Sequence, residues 1–278
     1  MLITSDNNLR ELIPNVLNTV EGEPSLLDRL TPYLQSAEEW VSLHFTGQRV
    51  LEEYTAAAES NAVRRLLQRI IAKHAFMEAV PSLDLILTPN GFGIVSNQNV
   101  APASKERVER LLASLEAERD SALDILLHKL KADSLWLQSE QSRYFRATLF
   151  PFLGLCGRLA IHQHVWLEYQ QLHERLIKIE AVLAATYFSE EQMQAFREAV
   201  LNSSLISQGV ITLVIDKLRS LELMLVSDMQ LHPQSFFDLV NIIRENPSAF
   251  PEWHASDTAQ LYSPAIFKNK KASGGYWF

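Results

Sequence analysis

Apolar residues recur at helical spacing along almost the whole chain, and hydroxyl-led capping patterns mark where the runs begin. Ser25-Leu-Leu-Asp28, Ser189-Glu-Glu-Gln192 and Ser235-Phe-Phe-Asp238 each set a hydroxyl before an apolar run, with an acid or amide three positions on. At that spacing the cap side chain and the third helical side chain satisfy each other's free backbone N–H groups. The pattern predicts helices near 7–20, 26–45, 47–58, 61–79, 104–131, 152–187, 190–201, 205–226 and 235–245. The expected fold class is mainly α, a multi-helix bundle. With 278 residues and 47% hydrophobic side chains, the chain has enough apolar surface for a large core.

One stretch departs from the helical period. Leu83-Asp-Leu-Ile-Leu-Thr-Pro-Asn-Gly-Phe-Gly-Ile-Val-Ser96 holds two short runs of branched residues around Asn90-Gly91. Asn-Gly readily takes positive φ at both central positions of a type I′ turn, so a small β-hairpin near 83–97 is expected. A plain loop is the competing reading.

Internal similarity suggests two diverged halves. Phe45-Thr46 follows an apolar helix and opens a short one, as does Phe188-Ser189, and each is followed by a longer apolar helix. Further on, Ser104 opens a helix with Val108, Leu111 and Leu112, and Ser235 opens one with Leu239, Ile242 and Ile243 at the same steps. The offset between the copies shortens over this stretch, as loss of the hairpin region from the second copy would require. On this reading an N-terminal helical half with the hairpin covers 1–148, and a C-terminal helical half with an aromatic tail covers 149–278. Ser142-Arg-Tyr144-Phe145 then aligns with Gly274-Gly-Tyr276-Trp277. Chance similarity among apolar helices is the alternative, with the whole chain packing as one domain.

Composition narrows the function classes. A net charge of −8 speaks against a general nucleic-acid or anionic-membrane binder, whose footprint is a basic excess. Cys156 is the only cysteine, so neither an intrachain disulfide nor a thiolate zinc site is available. The first ten residues lack a basic stretch followed by an apolar core, so no signal peptide is expected. The long apolar run Val210–Val226 carries Asp216, Lys217, Arg219 and Glu222, so no membrane span is expected either. The expected location is the cytoplasm.

Candidate chemistry is sparse. His162 and His164 would point to different faces of a helix, and His164 with Glu168 lacks a third ligand, so no metal site is expected. His162, Trp166, Tyr169 and His173 form one stripe beside the apolar stripe Val165, Leu172, Leu176, Ile179 and Leu183, which reads as the rim of a core-facing helix. Ser203, Ser204 and Ser220 lack a nucleophile elbow, and Cys156 sits in the apolar context Gly154-Leu-Cys-Gly157. The two glycines there permit a close helix crossing or mark a helix start. Glu116, Glu118, Asp120 and Asp124 read as a solvated helix face, and no glycine-rich phosphate cradle is present, so no cofactor is expected. Arg65, Arg69 and Lys73 recur every four residues, with Arg64 beside them, as a basic stripe on one helix face. A solvated face is its simpler explanation.

At Asn90-Gly-Phe-Gly-Ile-Val-Ser-Asn-Gln-Asn-Val-Ala-Pro-Ala-Ser104 the chain resembles an uncharacterised family of bacterial phage and prophage proteins, in which such a hairpin leads to a long helix and a glycine-aromatic tail often closes the chain. These proteins are similar in general style to the helical head–tail connectors of tailed phages. The resemblance implies a non-enzymatic structural or assembly protein working through protein–protein contacts. Its partners would be other copies of itself or portal and tail components, and its alternative location a phage-like particle. Asn90, Gly91, Phe92, Tyr276, Trp277 and Phe278 are the candidate contact residues, since aromatic side chains dominate interface hot spots. The competing reading is a helical ligand-binding or enzymatic domain with a site between the two halves, lined by His162, Trp166, Tyr169 and His173.

Overall fold

The structure, a computed structural model, describes residues 1–13, 25–83, 85–88, 91–94, 104–202 and 209–262. It divides into two compact units, Met1–Glu174 and Arg175–Phe278. The division falls later than the 148/149 boundary expected from the sequence. Residues 149–174 belong with the first unit because they bond to it: the Gly154 amide donates to Asp124 Oδ1 at 3.1 Å, and His173 Nε2 donates to the Tyr144 carbonyl at 2.8 Å.

The first unit opens with α1 (Asp6–Leu12), whose cap Ser5 accepts from the Asn8 amide, and α2 (Leu26–Val41). The expected capping box at Ser25 is present: Ser25 Oγ accepts from the Asp28 amide at 3.1 Å, and Asp28 Oδ2 accepts from the Ser25 amide at 3.3 Å. Leu30, Leu34, Ala37 and Val41, spaced three or four apart, form its buried stripe. The helix then widens into a π turn, Ser42–Thr46, closed by the Gly47 amide on the Ser42 carbonyl at 2.8 Å. Gly47 has φ 77° and ψ 156°, a region essentially reserved for glycine. It caps α3 (Gln48–Ala56), and α4 (Ala62–Leu83) follows, with a large share of its length buried.

Strands β1 (Leu85–Thr88) and β2 (Gly91–Ile94) pair antiparallel, Leu85 opposite Ile94 and Thr88 opposite Gly91. The expected hairpin is present; Gly91, expected in its turn, is the first residue of β2, and Asn90 lies outside the described residues. The unit continues with α5 (Lys105–Leu130), α6 (Ser134–Leu137), α7 (Glu140–Phe145) and α8 (Gly154–Arg158). Helix α9 (Val165–Leu183) contains the boundary between the units. In the first unit α4 packs on α2 and α5, and Leu67, Ile70, Ile71, Leu123, Leu126, Leu127 and Leu130 are fully buried.

The single helix expected over 152–187 is broken. Helix α8 ends with the Ile161 amide on the Cys156 carbonyl at 2.9 Å, with Ala160 at φ 57°, and His164 at φ 50° precedes α9. Left-handed residues stop an α-helix, and here neither is a glycine that would announce the stop. Gly154 begins α8, and nothing lies within 4 Å of a Cβ added at Gly154 or Gly157, so these glycines mark a start rather than a close crossing.

In the second unit α9 ends in another π turn, Ala184–Phe188, closed by the Ser189 amide on the Ala184 carbonyl at 2.9 Å. Then come α10 (Glu190–Asn202), α11 (Gly209–Val226), α12 (Gln234–Glu245), α13 (Pro251–His254) and α14 (Asp257–Leu261). Phe188, Met193, Phe196, Val214, Leu218, Val240, Ile243, Phe250 and Trp253 are buried. Ser235 is not a cap: α12 starts from Pro233, whose fixed φ suits a helix entry, and Ser235 lies within the first turn.

The element order α2, π turn, α3, α4, α5, α6, α7 recurs as α9, π turn, α10, α11, α12, α13, α14. Only the first copy carries the hairpin, and α12 is less than half the length of α5. The closing bond of the π turn sets the register. Ser42 and Gly47 correspond to Ala184 and Ser189, so Phe45 stands opposite Tyr187, one residue from the Phe188 match expected from sequence. At the far end, Trp136 and cap Ser139 correspond to Trp253 and cap Ser256. Ser142–Phe145 therefore has its counterpart in Ala259–Tyr262, not in Gly274–Trp277.

Candidate functional site

The densest polar chemistry lies in the first unit, where α4 presents His74 to Arg119 and Asp120 of α5. Arg119 donates from Nε to Asp120 Oδ1 at 2.8 Å, and its Nη2 lies 2.7 Å from the same oxygen. Its Nη1 donates to His74 Nδ1 at 3.2 Å, and Nη2 also reaches Glu116 Oε1 at 3.5 Å. The guanidinium sits 5.4 Å from the ring centroid of Trp40 on α2, which in turn stacks on His74 at 4.0 Å. Asp120 Oδ2 accepts from the Trp166 amide in the first turn of α9 at 3.4 Å. The Arg119–Asp120 pair thus ties together α2, α4, α5 and the start of α9.

The electrostatics follow from burial. Because Nδ1 of His74 accepts from a cation, its proton is on Nε2, 3.6 Å from Glu78 Oε1. Desolvation first, then the charges of Arg119 and His44, lower its pKa to about 4, so the imidazole is neutral at pH 7. Burial raises the Asp120 carboxyl above its ordinary value, against the opposing pull of Arg119.

A cleft of about 650 Å³ adjoins this cluster, lined among others by Met77, Glu109, Leu112, Glu116, Asp120, His162 and His164. His164 Nδ1 lies 3.1 Å from Glu116 Oε2. The lining favours a cationic or hydrogen-bonding group over an anion. Among the described residues, no three His, Cys, Asp or Glu side chains are grouped so as to hold a metal ion. Asp120, the most buried carboxylate facing the cleft, is already engaged by Arg119.

The sequence-derived candidates are dispersed. Gly91 and Phe92 lie on β2, while Asn90, Tyr276, Trp277 and Phe278 fall outside the described residues. The basic stripe is largely occupied within the fold. Lys73 is buried, with Nζ 2.6 Å from Glu118 Oε2, and Arg69 lies 3.6 Å from the same oxygen. Arg65 Nε donates to the Glu59 carbonyl at 3.2 Å, and Arg64 donates to the Ala57 carbonyl. The period of four placed these residues on one face, and that face turns toward α5 at its Lys73 end.

The histidine–aromatic stripe also resolves into core. Trp166, Tyr169 and His173 are buried in the first unit, while His162 is exposed in the segment before α9. His173 Nε2 donates to Tyr144, its Nδ1 faces Thr148 Oγ1 at 3.3 Å, and burial lowers its pKa to about 4. Cys156 is buried and its thiol is pushed up to about 12, mainly by desolvation. That environment suppresses thiolate chemistry.

Sequence reasoning missed Arg119 and the two tryptophans Trp136 and Trp253, and Asp120, expected on a solvated face, is instead buried against Arg119. Arg119 carries no local signal. The tryptophans do: Trp136-Leu-Gln-Ser139-Glu140 and Trp253-His-Ala-Ser256-Asp257 share a Trp-x-x-Ser-acid pattern, at a spacing shorter than the offsets found from sequence.

Residues 13–146, just under half of the chain, match the sequence model of a family of unknown function (DUF6712). The matched stretch contains every element from α2 to α7, the full first copy of the repeated arrangement. No curated protein and no solved structure matches the chain.

Proposed function

We propose that this chain is a non-enzymatic structural or assembly protein that acts through protein–protein contacts, as a component of a phage-derived element in the manner of a head–tail connector. The observation that carries this reading is the contrast between its reactive and its apolar side chains. His74, Arg119, Asp120, Tyr169 and His173 are buried and spend polar atoms on their own fold. Large apolar side chains stand in solvent instead: Leu43 is 68% exposed, Leu167 54%, Val182 63% and Leu261 74%. In the second unit, half-exposed Phe237 meets Tyr262 edge-on at 6.1 Å with Leu261 beside it, an apolar cluster of the kind a partner covers. Gly91 and Phe92 of the hairpin and the aromatic residues Tyr276–Phe278 are further contact elements on this reading.

Light scattering of the full chain over a concentration series tests it, alongside Phe237→Ser/Leu261→Ser and a variant lacking residues 272–278. Self-association or binding to purified portal or tail components, reduced at least tenfold by one of these changes, is expected. A chain that stays monomeric, binds none of these components, and is stabilised by a metal or nucleotide in a thermal-shift screen would overturn the reading.

A further inference from the structure

Helix α11 lies in the second unit with Val214, Ile215, Leu218 and Val226 buried, and Glu222 is buried in line with them. Its side chain is fully buried, and neither carboxyl oxygen meets a hydrogen-bond donor among the described residues. The charged groups that face it are Glu180 from α9, Arg197 from α10 and Arg219 from its own helix. Arg197 is committed elsewhere, with Nε on Glu180 Oε2 at 2.9 Å and Nη1 on Glu190 Oε1 at 2.7 Å. Glu180 is itself fully buried.

An ionised Glu222 would place a second carboxylate in the same dry space, with no donor of its own and a like charge beside it. Buried groups in that position keep their proton rather than bear the desolvation cost. The direction of the titration agrees: burial, and then the negative charge of Glu180, raise Glu222 well above the ordinary carboxylate range despite Arg219 and Arg197.

We propose that Glu222 is a proton-binding site of the second unit, protonated at neutral pH, and that loss of this proton loosens the packing of α11. The linkage has a definite sign. The unfolded chain releases this proton near the ordinary Glu value, whereas the folded unit retains it. The stabilising contribution is complete below the unfolded pKa and is lost as pH rises toward the folded one.

The test is hydrogen exchange of the α11 amides in the full chain, corrected for intrinsic rates, from about pH 5.5 to 8.5. In the parent, opening should grow by up to about tenfold per pH unit, the limit for one proton. In Glu222→Gln, which keeps the shape of the neutral acid, that component should vanish and protection at alkaline pH should rise. Equal pH slopes in the two proteins would overturn the proposal. Should the variant not fold, infrared spectroscopy of the parent labelled with 13C-glutamate decides it: a protonated carboxyl band at pH 7 supports the site, and carboxylate bands alone exclude it.

Discussion

The indole Nε1 of Trp136 donates to the carbonyl of Phe45 across 2.7 Å, and the indole of Trp253 does the same for Tyr187 across 2.9 Å. Each carbonyl belongs to a π turn, where the helix has just stopped supplying donors, and each tryptophan sits on a short helix late in its unit. The bond fastens the end of each copy to the end of its first long helix. Trp136→Phe keeps most of the apolar volume but leaves the Phe45 carbonyl without this donor. A loss of about 1–3 kcal/mol is expected in urea unfolding. A cost within about 0.5 kcal/mol would mean the indole contributes only packing.

Ser189 occupies, at φ 65° and ψ 157°, nearly the backbone conformation of Gly47 at φ 77° and ψ 156°. A side chain there is strained by about 1–3 kcal/mol. Its Oγ recovers little of that through a 3.3 Å contact with the Gln192 amide. Ser189→Gly should therefore raise the stability of the second unit by about 1 kcal/mol. Gly47→Ala should lower that of the first, because its Cβ would lie 2.8 Å from Gln141 Oε1 as well as adopt the disfavoured φ. Thermal unfolding of both variants checks the opposite signs.

Arg119 and Asp120 should behave as one unit. Arg119→Met leaves a carboxylate that is 3% exposed without its cation, a change that costs about 3–5 kcal/mol in comparable buried pairs. Arg119→Met/Asp120→Leu removes both charges and should recover most of that loss. Chemical denaturation of the two singles and the double gives the coupling directly, and simple additivity would contradict the arrangement described.

His74 and His173 both titrate near pH 4 in the folded chain, chiefly through burial, against about 6.5 when unfolded. The unfolded state binds their protons first, so their contribution to the stability of the first unit is complete above about pH 6.5 and is lost as pH drops from there toward 4. NMR titration of the imidazole Cε1–H signals should show both rings still neutral at pH 5.5. Either ring titrating near 6.5 would remove it from the buried set.

Legibility in the sequence followed the range of the interaction involved. The capping box at Ser25 and the buried stripe of α2 were readable because both depend on residues three or four apart. The hairpin was readable from its branched runs, but Gly91, read as a turn residue because Asn-Gly is a strong turn signal, pairs with Thr88 in the strand. Helices α6, α7, α13 and α14 escaped notice because four to six residues are too few to establish a period. The repeat was visible in outline, yet its register followed the Phe45 and Phe188 side chains, while the structural equivalence lies in the backbone bonds that close the two π turns.

By itself the sequence determined an all-helical chain with one small hairpin, because helical period, caps and turn residues act within a few positions of each other. The tertiary structure alone decided which polar groups became core. Arg119 meets His74, His173 meets Tyr144, and Glu222 lies near Glu180 and Arg197, each pair separated by many helical turns of chain. Nothing local distinguishes such residues from solvated ones, because desolvation and the choice of partner arise only when distant helices close on one another.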